Sequence, residues 1–251
     1  MLDDQAQIVK HLKQLHMPTI RGAYEDTAHH ARKESWSYEQ YLLELLQVEC
    51  DTRLRNRIAR NLRESRLPPS KTFENFDQRR LPQNVAAHLK VLMDGSFVDR
   101  AENILAFGNP GSGKTHLLCA IGHELIRNGR RVLFTPCGQL VQDLLIAKKE
   151  LTITKTLKRL SRYDAIILDD LGYVQQSREE MEVLFTFLAD RYEKHSVLLT
   201  SNLPFSQWEQ IFKDPMTTAA AIDRLVHHCV VLELNLPSYR LEQSKKKSKK
   251  R

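Results

Sequence analysis

The sequence lacks several features that would each set the class of the protein. No apolar run reaches the about 18–20 residues that a membrane-spanning helix needs, and the start, MLDDQAQIVK, has no signal-peptide pattern. The four cysteines stand without metal-ligand spacing. We therefore expect a cytoplasmic protein whose cysteines are free thiols; they are Cys50, Cys119, Cys137 and Cys229.

The net charge of +7 is unevenly distributed. Acidic side chains outnumber basic ones in residues 1–51, and the two are balanced in residues 71–244. The basic excess lies in TRLRNRIARNLRESR (52–66) and in KKKSKKR (245–251). A local basic excess is typical of a surface that binds polyanions, most often nucleic acid. For the tail, a solvated disordered end is the alternative.

Glycine is scarce, with nine residues in the chain, yet three of them fall in GNPGSGKT. The spacing Gly108-x-x-x-x-Gly113-Lys114-Thr115 is the Walker A pattern. It lies between a short apolar segment and a helical pattern, which is the context that this motif requires. It predicts a phosphate site in which Lys114 reaches the β- and γ-phosphates and the Thr115 hydroxyl ligates Mg²⁺. The predicted nucleotide-binding residues are Gly108, Asn109, Pro110, Gly111, Ser112, Gly113, Lys114, Thr115 and His116.

A second motif, DAIILDDLG (164–172), is an apolar run that ends in two carboxylates. Such a run favours a central parallel strand that is buried on both faces. Asp169 would emerge at the carboxyl end of that strand, where it can hold Mg²⁺, and Asp170 could act as general base on the attacking water. In the next strand, SVLLTSNLP (196–204), Asn202 could reach the γ-phosphate or that water.

The chain divides into a helical start and an alternating remainder. Helices are expected over about 3–16, from Pro18 to about 34, and from a Ser37–Gln40 capping box to about 66. LPPS (67–70) reads as a linker. We therefore predict a helical domain over 1–68, an α/β domain over 69–242 and a disordered basic tail over 243–251. The candidate strands are 103–107, 131–135, 165–169, 197–201 and 229–234.

The last helix of the N-terminal part has an arginine-rich second half. Leu54, Ile58 and Leu62 recur every four residues there, and arginines surround them. The spacing predicts that this apolar stripe packs.

These motifs together resemble an AAA+ ATPase of the initiator and helicase-loader branch. Within it the chain resembles the IstB family, the ATP-binding helpers of insertion-sequence transposition, and more loosely the helicase loader DnaC. The resemblance covers nearly the whole chain. It rests on FENFD, GNPGSGKTHL, IILDDLGY, LLTSNLPFSQW, AIDRLVHH and SYRL.

The resemblance implies roles for further residues. Asn202 matches the sensor 1 position, and Arg224 matches the arginine finger that acts on ATP held by a neighbouring subunit. Phe76, in FENFD, matches the segment beside the adenine, and Arg240 matches a second phosphate sensor. The branch also has a helical insertion, here within 138–164, in which five basic residues either face DNA or form a solvated surface: Lys148, Lys149, Lys155, Lys158 and Arg159.

The expected fold is thus an AAA+ P-loop NTPase with a mostly parallel five-stranded sheet behind a small helical domain. The expected function is an ATP-dependent regulator of transposition that hydrolyses ATP with Mg²⁺, forms homo-oligomers on duplex DNA and recruits its transposase. A helicase loader that holds single-stranded DNA is the first alternative. A nucleotide-binding assembly protein with negligible hydrolysis is the second, because Asp169-Asp170 stands where many AAA+ proteins have Asp-Glu.

Overall fold

The structure is a computed structural model that describes residues 2–172, 177–208, 215–239 and 241–242. It divides into two compact units, Met1–Arg60 and Asn61–Arg251. The sequence places the domain boundary at 68, whereas the division into units lies inside the third helix. Within the described ranges, no helix is both long enough and apolar enough to span a bilayer.

The N-terminal unit is built from three helices, α1 (Leu2–Gln14), α2 (Pro18–Lys33) and the first part of α3 (Tyr38–Ser65). Proline suits the first turn of α2 because it needs no hydrogen-bond acceptor there. The predicted capping box opens α3: Gln40 N–H donates to Ser37 Oγ at 3.2 Å, and Ser37 N–H donates to Gln40 Oε1 at 2.9 Å. The predicted helical organisation is confirmed.

The predicted packing of the apolar stripe on α3 is wrong. Leu54 is 44% exposed and Leu62 is 37% exposed. In the N-terminal unit, α3 buries Leu45 and Glu49 instead. At about 100° per residue, Leu54 lies on the opposite side of the helix from Leu45, so it points away from the buried face.

The C-terminal unit contains a five-stranded parallel sheet in the order β2-β3-β4-β1-β5. Its inner strands are buried along most of their length, which explains why their sequences are continuous apolar runs. The fold class is confirmed, and each strand begins and ends within two residues of its predicted bounds. The strands are β1 (Asn103–Phe107), β2 (Val132–Pro136), β3 (Ala165–Leu171), β4 (Ser196–Ser201) and β5 (Cys229–Glu233).

Helices connect the strands and cover the sheet. The helix after β1 packs on the central strands, and two helices lie between β2 and β3, in the segment where the sequence predicts a helical insertion. Because β4 lies between β1 and β3, the ends of these three strands are neighbours. The helices are α4 (Gln83–Asp94), α5 (Ser96–Asp99), α6 (Lys114–Arg127), α7 (Cys137–Lys149), α8 (Ile153–Leu160), α9 (Arg178–Arg191) and α10 (Pro215–Val226).

Candidate nucleotide site

The loop between β1 and α6 has the backbone of an anion site. Gly113 caps α6 in the left-handed region, with φ of +103°. Gly108 has φ of +145°, and a Cβ there would lie 2.2 Å from the carbonyl oxygen of Leu234, so a side chain has no room. The first N–H groups of an α-helix have no intrahelical acceptor, and they carry the positive end of the helix dipole. The start of α6 therefore offers donors to an anion.

Lys114 ties this loop to the end of β4. Its ammonium group donates to the carbonyl oxygens of Gly108 and Asn109, at 2.8 and 3.0 Å. It also donates to Asn202 Oδ1, at 2.6 Å. The lysine side chain is buried, with the whole residue only 5% exposed. A fixed cation thus lies where the loop and the neighbouring strand end meet.

The loop fits an occupant that is rich in acceptor oxygens. The Ser112 hydroxyl is buried, and it has no hydrogen-bond partner among the residues that the structure describes. Buried hydroxyls normally have partners, so this one suits a bound acceptor. The adjoining cavity has a volume of about 310 Å³, which is within the size of small-molecule sites.

The two carboxylates lie in a local irregularity of the sheet. Leu168 pairs with Leu199 and Leu171 pairs with Ser201, so that Asp169 and Asp170 together oppose Thr200. Two residues against one form a bulge, a feature that is common beside active sites. Asp170 has φ of +60°, which is uncommon for an aspartate and turns its side chain out of the regular strand alternation.

Thr200 holds both residues of this bulge. Its hydroxyl donates to Asp169 Oδ1 at 2.7 Å and accepts the N–H of Asp170 at 2.8 Å. Sequence reasoning missed Thr200, although a threonine inside an otherwise apolar, buried strand directly before Ser201 and Asn202 is a usable signal.

Phe76 and His116 form one wall of the cavity. Their rings meet edge to face, with centroids 5.1 Å apart. Burial lowers the pKa of His116, which favours the neutral ring. Its Nε2–H donates to the carbonyl of Thr72 at 2.9 Å. A flat, neutral wall of this kind is suited to an aromatic base.

The segment after β5, which contains the SYRL motif, contacts the phosphate loop through a backbone hydrogen bond that the sequence did not predict. Tyr239 N–H donates to the Gly111 carbonyl at 3.0 Å. Arg80 holds this segment by donating to Pro237 O at 3.2 Å, and its guanidinium lies 5.1 Å from the centroid of the Tyr239 ring. The lining residues outside the motifs quoted from the sequence are Lys71, Arg80 and Leu236. Asn75 and Asp77 line the cavity from FENFD, and Tyr239 lines it from SYRL.

Most of the predicted site residues come together around this one cavity. Gly108 and Asn109 contribute through their carbonyl bonds to Lys114. Arg240 lies outside the described residues. The predicted residues that line the cavity are Phe76, Pro110, Gly111, Ser112, Gly113, Lys114, Thr115, His116, Asp169, Asp170 and Asn202.

Arg224 is not among the lining residues of its own chain. It lies near the end of α10, where its guanidinium donates to the Ala220 carbonyl at 3.1 Å. The guanidinium carbon is 4.5 Å from the centroid of the Phe185 ring, a cation–π distance.

Comparison with known proteins agrees with this site. Two relatives are named as ATP-binding proteins of insertion sequences. The one from Sinorhizobium fredii is 42% identical over 238 residues, which cover 94% of this chain and 80% of the relative. The one from Pseudomonas aeruginosa, named for insertion sequence IS21, is 37% identical over 235 residues, which cover 94% of this chain and 89% of the relative.

Solved structures share the fold. DnaI superimposes with a TM-score of 0.56 at 21% identity over 68% of this chain and 96% of that structure. AMPPCP-bound DnaA from Aquifex aeolicus superimposes with a TM-score of 0.55 at 23% identity over 74% of this chain and 57% of that structure. Both are AAA+ proteins.

The match to a family extends over nearly the whole chain. The family described as IstB-like ATP binding protein matches residues 10–248, and that range contains both the phosphate loop and the two carboxylates. The chain therefore belongs to the IstB-like family, and it is an ATP-binding protein of the AAA+ fold.

Proposed function

We propose that this protein is an ATPase that regulates DNA transposition: it assembles on duplex DNA in an ATP-dependent way and recruits its transposase. The proposal that the protein hydrolyses ATP rests on one observation: Lys114, Asn202 and the Asp169–Asp170 bulge all line the same cavity. Nucleotide binding by itself needs only the phosphate loop and Lys114. Hydrolysis additionally requires groups that act on the attacking water and the γ-phosphate, and the carboxylate pair and the amide at the neighbouring strand ends can supply them.

Each side chain has a role in that chemistry. Lys114 binds the β- and γ-phosphates, and Thr115 and Asp169 are the residues that would hold Mg²⁺, which when bound neutralises phosphate charge. Asp170 accepts a proton from the attacking water. Asn202 orients the γ-phosphate or that water, and its bond to Lys114 couples the two groups.

Arg224 acts on the nucleotide of a neighbouring subunit. Its place outside the cavity of its own chain supports action in trans, because a finger that served its own nucleotide would have to line the same cavity. The contacts with Phe185 and Ala220 hold the guanidinium at a defined place near the end of α10. A positive charge at that place stabilises the charge that develops on the transferred phosphoryl group.

The insertion supplies a basic surface for DNA. Lys155, Lys158 and Arg159 are exposed on α8, while Leu160 is buried beneath them. Lys149 is exposed at the end of α7, but Lys148 is paired with Glu182 at 2.8 Å. Lys148 is therefore the weakest of the five predicted contacts. The transposition context of the proposal rests on the insertion-sequence relatives.

The test measures DNA binding with matched duplex and single strands, in the presence and absence of a non-hydrolysable ATP analogue. We expect duplex binding that requires the analogue, together with ATP turnover that duplex stimulates. K114A should abolish both effects, whereas K90A, a change at an exposed lysine of α4, should leave them intact. Equal duplex affinity with and without nucleotide would contradict ATP-dependent assembly. A preference for single strands would favour a helicase loader instead.

A second measurement tests the proposed partner. The cognate transposase should bind the DNA-bound, analogue-loaded protein and not the free protein. Binding that ignores nucleotide and DNA would contradict recruitment by the assembled form.

A further inference from the structure

Two adjacent histidines meet a glutamate from an earlier part of the chain. His227 and His228 directly follow α10, and Glu193 lies in the turn after α9. Each residue offers one ring nitrogen or carboxylate oxygen, and these three atoms all lie within 4.8 Å of one another. Among the residues that the structure describes, no other three histidine, cysteine or acidic side chains come together in this way. All three residues are exposed, so an ion can reach them from solvent.

The backbone holds the two histidines in place. The N–H of His227 donates to the Asp223 carbonyl at 2.9 Å, and the His228 carbonyl accepts the N–H of Asn103 at 2.7 Å. The buried side chain of Asn103 also donates to the carbonyl of Leu225 at 3.1 Å. The end of α10 and the start of β1 therefore fix the pair without any ligand.

Tyr192 orients one of the two rings. Its hydroxyl lies 2.9 Å from Nδ1 of His227, within hydrogen-bond distance. Metal-binding histidines almost always have one ring nitrogen held by such a partner, which sets the direction of the ring. Because Tyr192 immediately precedes Glu193, one turn supplies both a carboxylate and the group that positions a histidine.

The donor atoms, rather than net charge, identify the kind of ligand. Each acidic residue around the group has a basic neighbour: Glu102 is paired with Arg100 at 2.7 Å, and Glu193 is followed by Lys194. The local charge is therefore close to balanced and does not favour cations in general. Imidazole nitrogens with one carboxylate suit Zn²⁺, whereas Mg²⁺ and Ca²⁺ prefer sites made of oxygen.

We propose that Glu193, His227 and His228 form a Zn²⁺ site. Zn²⁺ holds nitrogen and oxygen ligands at about 2.0–2.2 Å, so small rotations of these exposed side chains bring the three atoms onto one ion. Three protein ligands leave the fourth tetrahedral position to water. The bound ion joins the turn after α9 to the end of α10, and it thereby restrains the helix that carries Arg224.

This site is separate from the nucleotide site. Glu193 precedes β4 and the histidines precede β5, so the group lies at the amino ends of these parallel strands. The nucleotide cavity lies at the opposite ends, and none of the three residues lines it. Zinc binding in K114A should therefore equal that of the native chain. Loss of zinc binding with normal ATP turnover would count against this site alone, and zinc binding without turnover would count against the proposed function alone.

Zinc affinity in the full chain, without a histidine tag and without nucleotide, tests the proposal. Competition with a chromogenic chelator should give one Zn²⁺ per chain, and excess Mg²⁺ should not displace it. H227A combined with H228A should weaken binding more than the about 10–100-fold that loss of an outer partner costs. E193Q should also weaken binding, and Y192F should weaken it by about 10-fold with unchanged circular dichroism.

The matched control is a second pair of adjacent, exposed histidines, His29 and His30 of α2. H29A combined with H30A removes the same number of imidazoles and should leave zinc affinity unchanged. Zinc should raise the midpoint of thermal unfolding of this control, as it does for the native chain, and should not raise that of H227A with H228A. Equal zinc affinity in the two double variants would overturn the proposal.

Co²⁺ as a spectroscopic probe separates this site from binding by thiols. Cobalt on nitrogen and oxygen ligands gives visible d–d bands, whereas a thiolate ligand adds a near-ultraviolet charge-transfer band. We expect the visible bands alone, and we expect C50S, which removes an exposed thiol, to give the same spectrum and the same zinc affinity. A charge-transfer band that C50S abolishes would place the metal on Cys50 and overturn the proposal, as would a native chain that binds no zinc.

Discussion

The hydroxyl of Thr200 donates a hydrogen bond of 2.7 Å to the carboxylate of Asp169. The same hydroxyl accepts the backbone N–H of Asp170, so that one side chain of β4 fixes both residues at the end of β3. The parallel order β3-β4-β1 makes this possible, because it places β4 between the carboxylates and the phosphate loop. Asn202, two residues further along, accepts a hydrogen bond from Lys114 of the phosphate loop.

Replacing Thr200 with valine should slow hydrolysis more than it weakens binding. Valine keeps the shape but removes both hydrogen bonds, so the carboxylates lose their fixed orientation. Outer-shell partners of this kind are typically worth about 10–100-fold in activity. We expect a loss of that size in DNA-stimulated turnover, with affinity for a fluorescent ATP analogue within about twofold. T200S keeps the hydroxyl and should retain most activity, and a T200V variant with normal turnover would remove Thr200 from this role.

Arg224 and Asp170 should complement each other between subunits. R224A lacks the finger and D170N lacks the base, so each variant should bind ATP and neither should turn it over. An arginine finger is worth about 10³–10⁵ in rate in other phosphoryl-transfer systems. In a mixture, an interface can combine the intact Asp170 of one subunit with the intact Arg224 of the other. We therefore expect partial recovery of turnover at intermediate mixing ratios.

The control for this mixture is D170N mixed with K114A. Both substitutions change the nucleotide site of their own subunit, so every site in the mixture is defective. The intact Arg224 of a neighbouring subunit cannot compensate for this, and no recovery of turnover is expected. Absence of recovery in the R224A mixture at every ratio would argue that Arg224 does not act in trans.

Glu49 should stabilise the N-terminal unit in a pH-dependent way. Its buried carboxylate accepts the N–H groups of Thr19 and Ile20, at 2.9 and 3.0 Å, and a charged hydrogen bond from Arg53. Burial alone would raise the pKa of Glu49, but these hydrogen bonds outweigh burial and lower it. E49Q should therefore reduce the free energy of unfolding by about 1.5–3 kcal/mol at neutral pH, the range for hydrogen bonds to charged groups.

The sign of the pH effect follows from the lowered pKa of Glu49. A carboxyl group whose folded pKa lies below its unfolded value of about 4.3 contributes stability above that pH. The contribution disappears as pH falls through the folded pKa. Thermal unfolding of E49Q and the native chain should differ by a constant amount near neutral pH and converge in acid. E44Q, at an exposed site, should shift stability by less than about 0.5 kcal/mol.

Sequence patterns predicted the parts of the molecule that depend on local chemistry. The Ser37–Gln40 cap and the glycine spacing of the phosphate loop are set by residues a few positions apart, and both formed as expected. The stripe at Leu54 was mispredicted because periodicity shows that a face is apolar but not whether anything covers it. The bonds from Thr200 to the bulge, and from Tyr239 to the loop, join residues that are distant in the chain. Only the order of the strands brings these residues together.

The exposed side of α8 should determine how steeply salt weakens duplex binding. Lys155, Lys158 and Arg159 are exposed there while Leu160 anchors the helix. Each phosphate contact contributes a slope of about −0.9 in log K against log salt on duplex DNA. The triple alanine variant should therefore bind more weakly with nucleotide present, and its slope should be shallower by about 0.9 for each phosphate that a subunit no longer neutralises. Lys148 offers a comparison, because its ion pair with Glu182 already engages its charge. K148A should leave the slope nearly unchanged, and a triple variant with the native slope would place the DNA on another surface.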